Sequence, residues 1–241
     1  MPPLELTGER TLPDVPAENY WFQRHLAVYE WISARVIGRR VIDMACGEGY
    51  GSEVISRTAA SVVGVDANPD AHEHAALRYP RQNLRFERGM VETYGEPESC
   101  DAVVFLQTIE HVQEPAAVLE RFRALLAPGG VAYVSTPNVL TLAPAGAEKS
   151  GNPWHIREYR AREFEALCRS VFPSVELLGL FHARKLRLHE IALRLGWDSL
   201  HARLGITERF YARFTPAIST RDFALRTSEL DRALDFLAVC R

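Results

Sequence analysis

Residues 40–51 read RVIDMACGEGYG, and no other segment restricts the fold as tightly. A short apolar run closes on an acid, Asp43, and glycines follow at 47, 49 and 51 before a helix-like pattern begins. Such a run bounded by glycine reads as a buried strand running into a sharp turn. Glycine belongs where the backbone must turn tightly or lie against a ligand. Strand, glycine loop and helix together open a βαβ unit, and the rest of the chain keeps that rhythm. Strands are expected at Arg40–Ala45, Ser61–Asp66, Leu84–Glu87, Asp101–Leu106, Val131–Thr136, Val175–Phe181 and Phe236–Cys240. Helices are expected at Tyr50–Thr58, Pro69–Tyr79, Pro115–Leu126 and Arg160–Val171, with a turn at Pro128-Gly129-Gly130. Pro115 suits a first helical position, where its missing N–H costs nothing.

This alternation predicts an α/β fold, a doubly wound, Rossmann-like parallel sheet of seven strands with helices on both faces. The 241 residues fit a single domain. Residues 1–38 form a turn-rich arm (LTGERTLPD) and an amphipathic helix (ENYWFQRHLAVYEWI), residues 39–182 the core, 183–232 an insertion and 233–241 the last strand. In the insertion Leu188, Ile191, Ala192 and Leu195 recur at helical spacing. Residues 183–215 carry seven Lys or Arg against three acids. Such a segment can receive a polyhydroxylated or anionic acceptor, form a homodimer contact, or be a solvated face.

A net charge of −3 argues against a dedicated nucleic-acid binder. No apolar run reaches the roughly 18 residues of a membrane span. Cys46, Cys100, Cys168 and Cys240 are widely spaced, which gives no disulfide framework and no cysteine zinc site; with no apolar leader at the N-terminus, the expectation is reduced thiols and a cytoplasmic location. His72 and His74 read as the solvated side of a helix.

Asp66 ends the second strand, 19 residues beyond Gly47, where an acid can bind the hydroxyls of a ribose. Asp43, ahead of the glycines, suits a cationic ammonium and would repel a pyrophosphate. The spacing is G-x-G-x-G, against G-x-G-x-x-G for dinucleotides. The ordered blocks DMACGEG, GVDANP, DAVVFLQTIEHV and LLAPGGVAYVSTPN resemble those of class I S-adenosylmethionine (SAM)-dependent methyltransferases, over about residues 38–137. The resemblance implies that Asp43 and the backbone of residues 45–49 (Ala45, Cys46, Gly47, Glu48 and Gly49) hold the methionine part of SAM. It implies that Asp66 binds the ribose with Ala67 beside the adenine, that Met90 and Val91 flank the adenine, and that Gln107 lies near the sulfonium. Many relatives carry aspartate where this chain has Met90.

The segments TGERTLPDVPAENYWFQRH, STPN, NPWHIREY, GLFHARKLR, ISTRDF and LDFLAV are similar to actinobacterial sugar O-methyltransferases of the methylglucose lipopolysaccharide type. That likeness implies a glycan or glycolipid hydroxyl as acceptor. A phenol, quinone or natural product is the alternative acceptor, and a non-catalytic binding protein a third reading. In class I enzymes the segment before the first strand commonly covers SAM, which places Tyr20 and His25 at the methionine end.

After the fourth strand the chain reads Gln107-Thr-Ile-Glu110-His111, and one helical turn would put Gln107, Glu110 and His111 on one face. His155 follows the fifth strand, and both loops open at the carboxyl edge of the sheet. The set resembles the E-x-x-E-H…H site of small-RNA 2′-O-methyltransferases, which implies a divalent metal such as Mg²⁺ or Mn²⁺ on Gln107, Glu110, His111 and His155. Alternatively His111, with Glu110, serves as a metal-free general base, its pKa near neutrality suiting the task. In the third reading Glu110 and His111 cap the next helix.

Overall fold

The computed structural model describes residues 11–144, 147 and 149–241. The first ten residues of the expected arm, and residues 145, 146 and 148, lie outside the described residues. In chain order the elements are α1 (Asn19–Ser33), β1 (Arg40–Met44), α2 (Tyr50–Ser56), β2 (Ser61–Asp66), α3 (Pro69–Arg78), β3 (Leu84–Arg88), β4 (Cys100–Phe105) and α4 (Pro115–Leu125). There follow β5 (Leu126–Pro137), α5 (Val139–Leu142), α6 (Ala161–Arg169), β6 (Val175–His182), α7 (Arg184–Arg194), α8 (Trp197–Arg203), α9 (Thr207–Phe214), β7 (Phe223–Arg226) and β8 (Asp235–Cys240).

The strands form one sheet in the order β3-β2-β1-β4-β5-β8-β6-β7. The doubly wound α/β architecture expected from the sequence is present, with eight strands in place of seven. The additional strand, β7, is a four-residue edge strand inside the insertion, and only Phe223 is buried along it. Four residues with one buried position carry too little alternation to be read in advance. From β3 to β5 the pairs are parallel, while β8 runs antiparallel between β5 and β6. The expected turn at Pro128–Gly130 is instead a bulge within β5, where Cys100 pairs with Leu126 and Ala102 already with Val131.

Strand alternation sorts the core into two layers. Ile42, Met44, Val103 and Phe105 face α4 and α6, meeting Val118, Phe122, Phe164 and Cys168. Val41, Val62, Ala102 and Val104 face the other way, against Val28 and Ile32 of α1 and Val54 and Ile55 of α2. Leu186 and Phe223 of the insertion extend this second layer. Local chemistry fixes the helix starts: at α3, Asn68 accepts hydrogen bonds from the Asp70 and Ala71 N–H groups, with Pro69 at the first helical position.

One buried ion pair ties the N-terminal helix to the last strand. Arg24 of α1 donates from Nε to Asp235 Oδ2 at 2.6 Å and from its terminal nitrogen to Oδ1 at 2.5 Å and to the Leu234 carbonyl at 2.9 Å. Both side chains are nearly inaccessible, so each charge depends on the other for solvation. Asp235→Asn should therefore lower unfolding free energy by about 3–5 kcal/mol, by stranding the guanidinium. The double variant Arg24→Met/Asp235→Leu should recover most of that loss in urea unfolding. Equal destabilisation in both variants would show that the pair's hydrogen bonds, not its buried charge, hold α1 in place.

Candidate active site

β1 and β4 are neighbours, yet the chain leaves β1 toward β2 and leaves β4 toward β5. The loops after them part, and a crevice opens at the carboxyl ends of the strands. A cleft of about 270 Å³ occupies this position. Its wall contains seven of the expected site residues: His25, Ala45, Cys46, Gly47, Asp66, Gln107 and His111. Thr11, Tyr29, Glu48, Tyr50, Leu106 and Thr108 complete it.

The floor is the glycine loop. Ala45 takes a left-handed φ of 54° directly after β1. The Gly47 N–H donates to Asp66 Oδ2 at 2.8 Å, and the Asn68 N–H donates to Oδ1 at 2.9 Å. These bonds aim the half-exposed Asp66 carboxylate along the cleft, and each oxygen keeps acceptor capacity for a diol. A Cβ on Gly47 would meet nothing within 4 Å, so this glycine faces open space. Gly49 faces away from the cleft: its φ is 93°, and a Cβ there would lie 2.7 Å from Ala75 Cβ. A Cβ on Gly51 would lie 2.1 Å from the Tyr29 ring, so this position lets α1 sit against α2.

Alternation along β1 puts Asp43 on the same side as Val41, beneath α1 and α2. It is fully buried and accepts from Ser52 Oγ at 2.6 Å and from the Tyr29 hydroxyl at 3.3 Å. Burial, only partly offset by those bonds, raises its pKa to about 7. Asp43 therefore lies under the cleft, not in its wall. The role of the Glu48 side chain was not foreseen. Its buried carboxylate takes hydrogen bonds from the Tyr79 hydroxyl at 2.8 and 3.0 Å, lies 3.0 Å from His74 Nε2, and pairs with Arg78 Nε at 3.2 Å. His74 is thus a buried partner of the loop, contrary to its expected place on a solvated face; His72, half-buried, contacts the Phe86 carbonyl at 3.2 Å. Only the i, i+4 spacing of His74 and Arg78, with Tyr79 next to it, hinted that α3 could meet a loop acid.

The opposite wall follows β4. Gln107 has a φ of 52°, so it cannot share a helical face with Glu110 and His111, which lie in the 3₁₀ turn Ile109–His111. Its N–H and its side-chain amide both donate to Ser135 Oγ at 3.0 Å, which directs the amide toward β5. Glu110 is buried, accepts from Thr136 Oγ1 at 3.1 Å, and is raised by burial to about 8. Its carbonyl accepts the N–H groups of Ile156 and Arg157, clamping the later loop onto this turn. That clamp brings the rings of His111 and His155 to 5.0 Å, and ligating atoms of Glu110, His111 and His155 lie within 4.8 Å of one another. His111 Nδ1 lies 2.9 Å from the Trp154 carbonyl, which can only accept, so Nδ1 carries the proton and Nε2 is the basic nitrogen. His155 Nδ1 donates to Glu158 at 2.7 Å, and its Nε2 accepts from Asn152 at 3.0 Å. Helix α4 begins at Pro115 with Glu114 at its cap, so Glu110 and His111 are not its caps.

Several expected cofactor contacts lie elsewhere. The Tyr20 hydroxyl is 2.8 Å from His182 Nε2, in a second cavity beneath α7 and α9, so of the two arm residues His25 alone reaches the cleft. Ala67, Met90 and Val91 do not line the cleft, and Met90 is 55% exposed.

A family model described as a methyltransferase domain matches residues 19–191. A protein named as a probable S-adenosylmethionine-dependent methyltransferase of Mycolicibacterium smegmatis is 36% identical, over 98% of this chain and 94% of its own. A ubiquinone biosynthesis O-methyltransferase of Albidiferax ferrireducens is 33% identical over 68% of this chain and 70% of its own. In fold, the chain matches a SAM-dependent methyltransferase from Thermotoga maritima with a TM-score of 0.61, at 14% identity, covering 93% and 94% of the two chains. The chain belongs to the SAM-dependent methyltransferases, with the class I fold.

The buried carboxylates make stability depend on pH. Asp43 and Glu110 titrate at about 7 and about 8 when folded, above the carboxylate range of the unfolded chain. The folded state then holds protons that the unfolded state releases, so stability falls as pH rises through these values. His25, lowered by burial to about 4, acts in the opposite sense, but only below its ordinary 6.5. Urea unfolding between pH 6.5 and 8 should therefore show declining stability, with a shallower slope in Glu110→Gln. An unchanged slope would mean that Glu110 is ionised in the fold.

Proposed function

We infer that the protein is an O-methyltransferase that moves the SAM methyl group to a sugar hydroxyl of a glycan or glycolipid precursor. The observation that carries this reading is the placement of Glu110, His111 and His155 in one cluster, with His111 also in the wall of the cleft. A hydroxyl needs help to become a nucleophile, and imidazole nitrogen with carboxylate oxygen is a fitting donor set for that task. Thr108 and His111, in the wall on the β4 side, add polar groups that suit a hydroxylated acceptor. A relative named for O-methylation supports oxygen as the acceptor atom.

On the donor side, Asp66 binds the ribose hydroxyls and the loop of Ala45, Cys46 and Gly47 carries the methionine end, with His25 above it. Asp43 acts from beneath as a buried countercharge to the ammonium. The adenine lies on the side of Ala67, Met90 and Val91.

On the acceptor side, Glu110, His111 and His155 would hold a divalent cation. The outer nitrogen of His155 is already held by Glu158, the arrangement that orients metal-ligating histidines. A divalent ion supplies a lowered pKa for a bound hydroxyl. Two observations favour a second reading, in which His111 Nε2 takes the proton unaided: burial keeps Glu110 protonated near neutrality, and Asn152 occupies His155 Nε2.

Asp66→Ala should weaken SAM binding by about 1.5–3 kcal/mol in calorimetry, the worth of a charge-assisted hydrogen bond. Wild-type affinity in that variant would remove Asp66 from the ribose site. Methyl transfer from labelled SAM should be followed across sugar, phenol and quinone acceptors. Transfer to a phenol or quinone but to no sugar would overturn the glycan reading. His111→Ala should cut turnover by a factor of about 10²–10⁴ and leave SAM affinity near wild type. If a cation is held, Glu110→Ala and His155→Ala should be nearly as damaging, and EDTA inhibition should be reversed by Mg²⁺ or Mn²⁺. If His111 acts alone, chelator should have no effect and His155→Ala should be mild.

A further inference from the structure

Helix α7 is apolar on two opposite sides. At 100° per residue Leu186, His189 and Leu193 fall together, and they line the inner cavity that also contains Tyr20. Leu188, Ile191 and Leu195 fall on the opposite side and are 69%, 46% and 83% exposed. Leu186 of the inner stripe joins the core, whereas among the described residues the outer stripe joins no core cluster. After Gly196 the exposed apolar series continues with Leu200, Leu204 and Ile206. Six of the thirteen large apolar side chains exposed among the described residues thus fall within residues 188–206. Single exposed leucines need no explanation, but a cluster on one corner marks a contact surface.

The charge around this corner indicates what it contacts. Arg184, Arg187, Arg203, Arg209 and Arg213 are exposed. Among the described residues none of the five forms an ion pair, whereas Arg194 pairs with Glu190 and Lys185 with Asp222. The chain as a whole is net negative, so this positive excess is local. Leucine and isoleucine flanked by unneutralised guanidinium groups match an anionic bilayer surface: apolar side chains enter the headgroup–acyl boundary while arginines meet lipid phosphates. A two-fold contact between copies through residues 183–215 would bring seven Lys or Arg per copy together with only three acids, Glu190, Asp198 and Glu208, to meet them. No helix among the described residues is long and apolar enough to cross a membrane, so the contact lies in the membrane plane.

We propose that the α7–α8 corner seats this methyltransferase on an anionic lipid surface. The proposal does not depend on which acceptor the enzyme methylates. Its test is co-sedimentation of the full chain with phosphatidylcholine vesicles, with and without phosphatidylglycerol, at low and high salt. Wild type should sediment with the anionic vesicles and be released by salt. The triple variant L188S/I191S/L195S and the pair Arg187→Glu/Arg203→Glu should each bind roughly tenfold more weakly, or less still. All these side chains are exposed, and unchanged SAM affinity in calorimetry verifies that the variants are folded. Wild type that stays in the supernatant with anionic vesicles, or a triple variant that binds as well as wild type, overturns the proposal. So does a wild-type dimer in sedimentation velocity that the triple variant converts to monomer, because the face would then belong to a second copy.

Discussion

The constraint on which the rest of the molecule depends is the reversal of winding between β1 and β4. Met44 and Phe105 are paired at the ends of these two strands, and from that point the chain must leave in opposite directions. Both exits are made through left-handed backbone at residues that are not glycine: Ala45 after β1 and Gln107 after β4. Each conformation costs about 1–3 kcal/mol and persists only where its surroundings over-determine it. The Cys46 N–H is held by the Val65 carbonyl, and the Gln107 N–H by Ser135. The two strained residues flank one cleft because their strands are adjacent, and the parallel sheet supplies the rigidity that keeps them there.

Electrostatics follow from the same geometry. The carboxylates of Asp43, Glu48 and Glu110 are buried next to the cleft, and burial raises all three pKa values. Asp43 and Glu110 therefore ionise reluctantly. The methyl donor brings a sulfonium and an ammonium, and a nearby positive charge favours ionised carboxylate. Donor binding and deprotonation of Asp43 should reinforce one another, which turns a destabilising feature of the unliganded fold into affinity. Glu48 serves a different end. Through Tyr79, His74 and Arg78 it fastens the glycine loop to α3, the helix that follows Asp66.

Much of this was legible in the sequence, for a physical reason: the cleft wall is built largely from strand ends and the turns that leave them. Hydrophobic periodicity locates the strands, and the residues just beyond them are then placed by topology. That reasoning located Ala45, Cys46, Gly47, Asp66, Gln107 and His111 in the cleft wall. It failed where a side chain's direction mattered more than its position. Gly49 sits in the motif but points at Ala75 and Phe86. Asp43 lies one residue before the end of β1, and alternation turns it under the floor. Tyr20 and His25 share one helix, but five residues of helical rotation separate them into different cavities. Glu48 and His74 meet only through the packing of α3 on the loop, a contact between elements that no periodicity encodes.

The cluster of Glu110, His111 and His155 is built differently, and this explains why its histidines could be paired from the sequence but not its geometry. No strand end carries His155. It is held by the Glu110 carbonyl gripping the N–H groups of Ile156 and Arg157, and by Ser150 and Glu158 within its own loop. Tyr159 then bridges to Asn138 just after β5, which returns the loop to the sheet. The cluster of Glu110, His111 and His155 thus rests on backbone hydrogen bonds between two irregular segments. A loop of this kind can change length and sequence without disturbing the sheet. The cleft wall is fixed by sheet topology, whereas the loop that carries His155 is held by contacts that the sheet does not dictate.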